Sequence, residues 1–502
     1  MIPDSHALPP LPPQSIASPR DPAALARLAQ QARADLARLN FPPANWVPPS
    51  TAPDGTGVLD VLVAGGGMCG QTAAYALLRE GVGNLRVIDR AARGDEGPWG
   101  TFARMLTLRS PKHLTGPDLG VPSLTFRAWY EAQHGGAGWS ALHKIGRIDW
   151  RDYLLWVRDT VGVRVDNGVA LLSVDDQGGL LRARLSSSAG EEVVWTRKLV
   201  LALGREGSGA PRWPDLPSLR RGDPLAAARV FHSAEAIDFD ALRGRRVGVL
   251  GAGASAFDNA ACALEAGAVV DLFARRAFLP QVNKSKWTSF AGFFRGFASL
   301  DDARRWRFYT YIFDEQVPPP WETVRRCDAQ AAFTLRLATP WHDVRPQADA
   351  VIVATPQGEE RFDAVIFGTG FDVDLLDRPE LARYLPHVDT WGRHVGAEEA
   401  ARSPEAARFP YLGEGFELLS TDAAHRQALA QMHLFNWGST MSHGALAGDI
   451  PGLAIGAGRL AQSIARDLFV ADADAHWQRL QALEEPELLP TKWYLPPEKR
   501  NS

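Results

Sequence analysis

The chain has 502 residues but only three cysteines, Cys69, Cys262 and Cys327, and no two of them stand at CxxC spacing. That excludes a disulfide scaffold and a vicinal redox dithiol, and it fits a reduced, cytoplasmic setting. No uncharged apolar run approaches the roughly 20 residues of a membrane span. The opening residues, MIPDSHALPPLPPQ, lack the apolar stretch of a secretory leader. Neither charge sign dominates: 54 Lys and Arg face 58 Asp and Glu, a net charge of -4, so nothing draws the chain to nucleic acid or to an anionic membrane. The twelve histidines include no pair four residues apart and no HExxH, which argues against a metal site. NWGSTMSHG at 436–444 has a Ser and a His but no G-x-S-x-G elbow, so it does not read as a hydrolase nucleophile.

What is present is alternating α/β texture over a length of about three domain-sized units. Residues 1–57 form a Pro/Ala-rich arm, in which Asp21 and Pro22 open a helix over 21–40. From Val58 a buried strand, VLDVLVAG, meets a glycine turn, a helix and a second strand ending at Asp89. Short alternating runs over 165–205 predict an antiparallel meander. A second strand–turn–helix starts at Arg245 and is again followed by a strand, VVDLFARR. Residues 283–345 are rich in Trp, Phe and Tyr, and GDIPGLAIGAGRLAQSIARDLF (448–469) reads as a further strand, turn and helix. The expected fold is α/β with two Rossmann-like dinucleotide-binding domains. The first would span 58–210 and 350–480, split by an inserted second at 211–349 that carries a helical aromatic insertion at 283–345; 481–502 is a tail.

The two glycine turns carry the chemistry. Gly65, Gly67 and Gly70 have GxGxxG spacing: a tight turn, room for a pyrophosphate against the backbone, and close helix–strand packing. Asp89 ends the next strand, where a carboxylate accepts from both ribose hydroxyls and repels a 2′-phosphate. That pattern points to FAD or NAD. Gly251, Gly253 and Ala256 form the GxGxxA variant, with Ser255 in the first turn of its helix, and the following strand ends in Arg275 and Arg276. Two guanidinium groups at that position suit a 2′-phosphate, hence NADPH. The two sites differ in sign.

A pair of such sites in one chain implies hydride transfer from NADPH to a bound flavin. VGVLGAGASAFDNA, RVFHS around His232, DAVIFGTGFD (363–372) and GPWGTF…LRSPKHL (97–114) together resemble the class B flavoprotein monooxygenases, the superfamily of flavin-containing, N-hydroxylating and Baeyer–Villiger enzymes. The resemblance runs over roughly 58–470. It implies FAD and NADPH as cofactors, a C4a-(hydro)peroxyflavin, and transfer of one oxygen atom from O2 to a small organic substrate at N, S or a carbonyl. It places Trp99, His232, Thr369, Gly370 and Asp449 among the cofactor-binding residues, with His232 fixing a loop rather than acting as a base; His443 reads first as part of a satisfied loop, with a place beside Asp449 near the flavin as the alternative. Ala226, Ala228 and Ala236 stand where Baeyer–Villiger members carry Phe, Gly and an aromatic. Arg109 stands where an Asn precedes the family's lysine; it is the candidate catalytic residue, stabilising a flavin peroxide anion, with FAD phosphate or substrate as its other partners. An NADPH-dependent flavoprotein reductase without oxygen transfer and a non-enzymatic cofactor-binding flavoprotein remain the alternatives. Substrate identity and assembly, a homodimer among the options, are not legible.

Overall fold

The computed structural model describes residues 20–113, 116–220, 222–488 and 492–493. The beginning of the arm and most of the tail lie outside the described residues.

Two sheets organise the chain. In the first, β1 (Leu59–Ala64) lies between β2 (Leu85–Asp89) and the long β6 (Gly190–Leu201), parallel to both. The short β3 (Asp166–Asn167) extends the sheet beyond β2. β4 (Ala170–Gln177) and β5 (Leu180–Ser187) form the expected antiparallel meander with the N-terminal half of β6. The second sheet is all parallel, with β7 (Val230–His232), β8 (Arg246–Leu250), β9 (Val269–Phe273), β10 (Phe333–Arg336) and β14 (Ala364–Phe367) in the order β10-β9-β8-β14-β7. Beside it β11 (Asp343–Pro346), β12 (Val351–Thr355) and β13 (Gly358–Phe362) make an antiparallel meander. The chain then returns to the first sheet, where β15 (Met432–Leu434) pairs with the end of β6. Every strand of the second sheet therefore lies between β6 and β15 in sequence.

Three expectations need correction. Residues 351–367 were assigned to the first unit, but β14 hydrogen-bonds to β7 and β8, so the return crossing follows Phe367. An alternating apolar strand shows its burial but not which sheet receives it. The aromatic stretch 283–345 is helical only as far as Asp328; β10 and β11 close it. Finally, no strand precedes Leu453: residues 448–452 are turn, leading into the helix Leu453–Ala471.

Asp21 caps the helix Pro22–Arg38 by accepting the Ala24 N–H at 3.0 Å, and Ala32 and Leu36 of this helix join the largest core. That core also takes Phe293, Phe294, Phe297, Trp306 and Tyr309. The aromatic segment thus leaves the second sheet in sequence yet packs with the first unit's helices. Only its last helix, Trp321–Asp328, turns back, placing Cys327 in the second sheet's core.

Candidate functional site

Around the first turn, each glycine meets what its role demands. Gly65 has φ +101°, and a Cβ there would lie 2.4 Å from the Ala202 carbonyl oxygen. A Cβ on Gly70 would lie 1.7 Å from the Gly65 oxygen. Gly67, by contrast, has nothing nearer than 3.8 Å. Backbone contact fixes the outer two, and the middle one meets only ordinary contact distances to the Glu96–Gly97 backbone. Gly67 is also the N-cap of the helix Met68–Arg79 and supplies no side-chain cap, so the first-turn N–H groups remain available to an anion. A cavity opens there, lined by Gly66, Gly67, Gln71, Glu96, the half-buried Trp99 and Arg158. These residues fit a dinucleotide pyrophosphate.

Asp89 accepts the Gly66 N–H through Oδ2 and the Ala91 N–H through Oδ1, both at 2.8 Å. Burial pushes its carboxyl up, against the pull of those two N–H groups. It therefore shapes the glycine loop as well as ending β2. Below it lies a group not foreseen from sequence. Buried Glu96 accepts from Arg158 and from Asn167, each at 2.7 Å, and binds the turn to the helix Arg147–Val161.

The second turn repeats the arrangement. Gly251 has φ +125°, with a Cβ position 2.5 Å from the Gly368 oxygen, whereas Gly253 faces open space and caps the helix Ala254–Glu265. Ala256 is fully buried against Gly368, where an added Cβ would lie 2.5 Å from the Ala256 Cβ. The glycine at 368 follows from that contact. Ser255 is exposed in the first helical turn. Arg275 and Arg276 follow β9, exposed and half-exposed, and among the described residues neither guanidinium has a carboxylate within 4.0 Å.

The two crossings between the sheets run side by side. Pro211 bridges Phe371, the Arg212 N–H donates to the Gly370 oxygen at 2.9 Å, and the Thr369 hydroxyl donates to the Arg212 oxygen. His232, fully buried, joins them to the second sheet. Its Nδ1 accepts the Ala234 N–H at 3.1 Å, so Nε2 carries the proton and donates to the Gly370 oxygen at 3.0 Å. Both ring nitrogens are committed to holding the crossings together.

Between the units lies a cleft with charged walls. Arg109 reaches across to Asp258 on the helix Ala254–Glu265 at 3.4 Å. Asp258 is buried, which pushes its carboxyl up against the pull of Arg109, Thr323 and Arg326. Arg109, Lys144, Glu322, Thr323 and Arg326 line a second cavity here. Arg205, just beyond β6, stands with its guanidinium 4.1 Å over the Trp437 ring; its nearest carboxylate, Asp449, is 3.9 Å away. Gly448 donates its N–H to the Cys69 sulfur at 3.3 Å, which ties the Asp449 turn to the first turn of the glycine-loop helix. The protein surrounding Asp449 pushes its carboxyl up, and Arg205 and Arg109 oppose this. His443 does not line the cleft; its contacts are those of the satisfied loop expected for it first. It is 2% exposed, donates from Nε2 to the Gly413 oxygen and accepts from Arg459 at Nδ1, and burial pushes it down to about 3.

Comparison with known proteins decides the family. The chain is 41% identical over 468 residues to the FAD-dependent urate hydroxylase of Xanthomonas campestris, covering 93% of this chain and 97% of that one. The chain belongs to the class B flavoprotein monooxygenases. It is accordingly a flavin-dependent monooxygenase. The family model for L-lysine 6-monooxygenase/L-ornithine 5-monooxygenase matches residues 140–305. The fold is shared with the ornithine hydroxylase of Pseudomonas aeruginosa, at TM-score 0.62 and 19% identity over 82% of this chain and 100% of that one. It is shared equally with the ornithine N-hydroxylase of Kutzneria sp. 744, at TM-score 0.63 and 16% identity over 82% and 99%. Among the described residues of this monooxygenase no helix is long and apolar enough to cross a membrane.

Sequence reasoning singled out Arg109 and Asp449 but missed Arg205, Trp437 and Asp258. Arg205 follows LALG in a Gly/Pro-rich loop that reads only as a domain boundary. Its place immediately beyond a strand parallel to β1, at the carboxyl end of the sheet, is the signal that marks it.

Proposed function

We propose that this monooxygenase hydroxylates a small, planar, anionic nitrogen heterocycle, with urate as the first candidate. The observation that carries the reading is near-full-length identity of 41% to a urate hydroxylase. The cleft supports it. The Arg205 guanidinium sits 4.1 Å over the Trp437 ring and, among the described residues, its side chain makes no hydrogen bond. A planar guanidinium with free donors over an aromatic face suits a flat, oxygen-rich anion. Arg109 adds a second positive charge that both Arg205 and Asp449 feel.

In this reading the glycine turn at 65–70 holds the FAD pyrophosphate, with Asp89, Trp99 and Asp449 around it. The turn at 251–256, with Ser255 and the arginines at 275 and 276, holds NADPH. When bound, FAD would supply hydride acceptance and oxygen activation. The protein's own part is to position the two dinucleotides and the substrate, and to keep water out. His232, Thr369 and Gly370 hold the crossings that set the distance between the two units. Arg109, tied to Asp258 from across the cleft, keeps positive charge beside the reacting oxygen.

A second reading, N-hydroxylation of an amine, draws on the lysine/ornithine family match over 140–305. An ammonium substrate would meet Arg109 and Arg205 as like charges, which disfavours it. The test is NADPH oxidation with urate, ornithine and lysine in turn. Stimulation by urate alone supports the proposal; stimulation by ornithine or lysine and not by urate overturns it.

A further inference from the structure

We propose that this chain carries a divalent transition-metal site, separate from both dinucleotide turns and from the cleft, built by His387, Asp422 and His425. His387 Nδ1 lies 2.9 Å from Asp422 Oδ2, and His425 Nε2 lies 3.9 Å from the same oxygen. The three ligand atoms fall within 4.8 Å of one another. A tetrahedral centre with bonds of about 2.0–2.1 Å separates its ligands by roughly 3.4 Å, so small side-chain adjustments bring all three onto one ion.

The groups are held for this geometry by their surroundings. Asp422 Oδ1 accepts the Ala424 N–H at 2.9 Å, which leaves Oδ2 facing the two imidazoles. That N–H, followed by the neighbouring imidazoles, holds the carboxyl below its ordinary range. The Ser420 hydroxyl donates to the His387 oxygen at 2.7 Å and accepts the Asp422 N–H at 3.0 Å, locking the two loops in register. The His425 ring meets the edge of Tyr384, itself fully buried and bonded to Asp176 at 2.7 Å. The imidazole centroids are only 3.9 Å apart. Two imidazoles converge on a single carboxylate oxygen, and only one of them is within hydrogen-bond range of it. A bound cation would engage all three.

Two imidazole nitrogens and one carboxylate oxygen are the donor set of Zn²⁺, Co²⁺ or Ni²⁺, not of Mg²⁺ or Ca²⁺. The side chains are 32%, 39% and 21% exposed, so water reaches the remaining coordination position. Such an ion would clamp the 384–388 and 420–429 segments, whose Tyr384, Val388, Ala428 and Leu429 share one core with Val174, Leu181 and Leu199 of β4–β6.

The test uses the FAD-loaded, tag-free protein, stripped with chelator and titrated with Zn²⁺ by calorimetry. One equivalent is expected, with affinity at least tenfold weaker in Asp422→Asn and at least 100-fold weaker in His387→Ala/His425→Ala. Co²⁺ should give four-coordinate visible bands, as a difference spectrum, in wild type only. Flavin absorbance and NADPH oxidation should be unchanged in both variants, which confirms that they are folded. If the alanine pair misfolds, the near-isosteric Asp422→Asn decides. No binding below millimolar Zn²⁺, or the same affinity in a folded variant as in wild type, overturns the site.

Discussion

Replacing Arg275 and Arg276 by alanine tests the assignment of the second dinucleotide site through a single atom group, the 2′-phosphate. Both residues closely follow the end of β9, near the position at which Asp89 ends β2, and neither has a carboxylate partner among the described residues. Their removal therefore breaks no ion pair within the protein and leaves no buried charge unpaired. A hydrogen bond to a charged group contributes ~1.5–3 kcal/mol. Arg275 is exposed and Arg276 half-exposed, so solvent screening favours the lower end for each. The pair together gives ~3 kcal/mol, a loss of roughly 100-fold in NADPH affinity. The assay is anaerobic stopped-flow reduction of the flavin, with the dissociation constant read from its dependence on coenzyme concentration. The constant for NADPH should rise about 100-fold and that for NADH less than threefold, with limiting reduction rates unchanged, since the proposed site sets the arginines at the adenosine end. Equal losses for both coenzymes, or none for NADPH, would refute the reasoning.

Other consequences follow from particular contacts. Gly368→Ala puts a Cβ 2.5 Å from the Ala256 Cβ and 2.6 Å from its Cα. Rotamer change cannot relieve that clash, so stability falls by about 1–3 kcal/mol, visible as a lower Tm; an unchanged Tm would show the contact to be soft. Arg158→Met leaves Glu96 buried without its cation and should cost ~3–5 kcal/mol in denaturant unfolding at about pH 7. Burial pushes the Glu96 carboxyl up, but Arg158 and Asn167 outweigh it and hold the folded value below the ordinary one. Its stabilisation is therefore full above the ordinary glutamate pKa of about 4.3 and is lost as pH falls through the folded value. The gap between wild type and Glu96→Gln should shrink on acidification; a gap that widens would reverse the sign. Arg205→Gln should lower kcat/KM for urate by ~10–100-fold, the range for one charged hydrogen bond, with flavin reduction by NADPH changed less than threefold. An equal fall in both would place Arg205 on the coenzyme side instead.

The glycine turns were legible because local sterics dictate them. Gly65 and Gly251 need a positive φ and a close carbonyl, and no other residue type meets both demands. The charge difference between Asp89 and Arg275–Arg276 was legible because each lies a fixed distance past its turn. The sheet that receives 351–367 was not, since β14 carries the same apolar signal wherever it inserts. The turn at 448–452 misled because Gly, Ile and Leu before a helix resemble a strand, while here Ile450 and Leu453 simply enter the large core. The cleft was half legible. Arg109 stood out against a family motif, but Arg205 over Trp437 joins residues 232 apart in sequence and depends on β15 pairing with β6. The same holds for His387 with Asp422 and His425, which spacing rules for histidine cannot detect.

The most direct test of the central reading is a single turnover of the NADPH-reduced protein with urate and isotopically labelled dioxygen. The account predicts one labelled oxygen atom in the organic product for each NADPH consumed, with little hydrogen peroxide released. NADPH consumed with all of the label in peroxide and none in the product would contradict it.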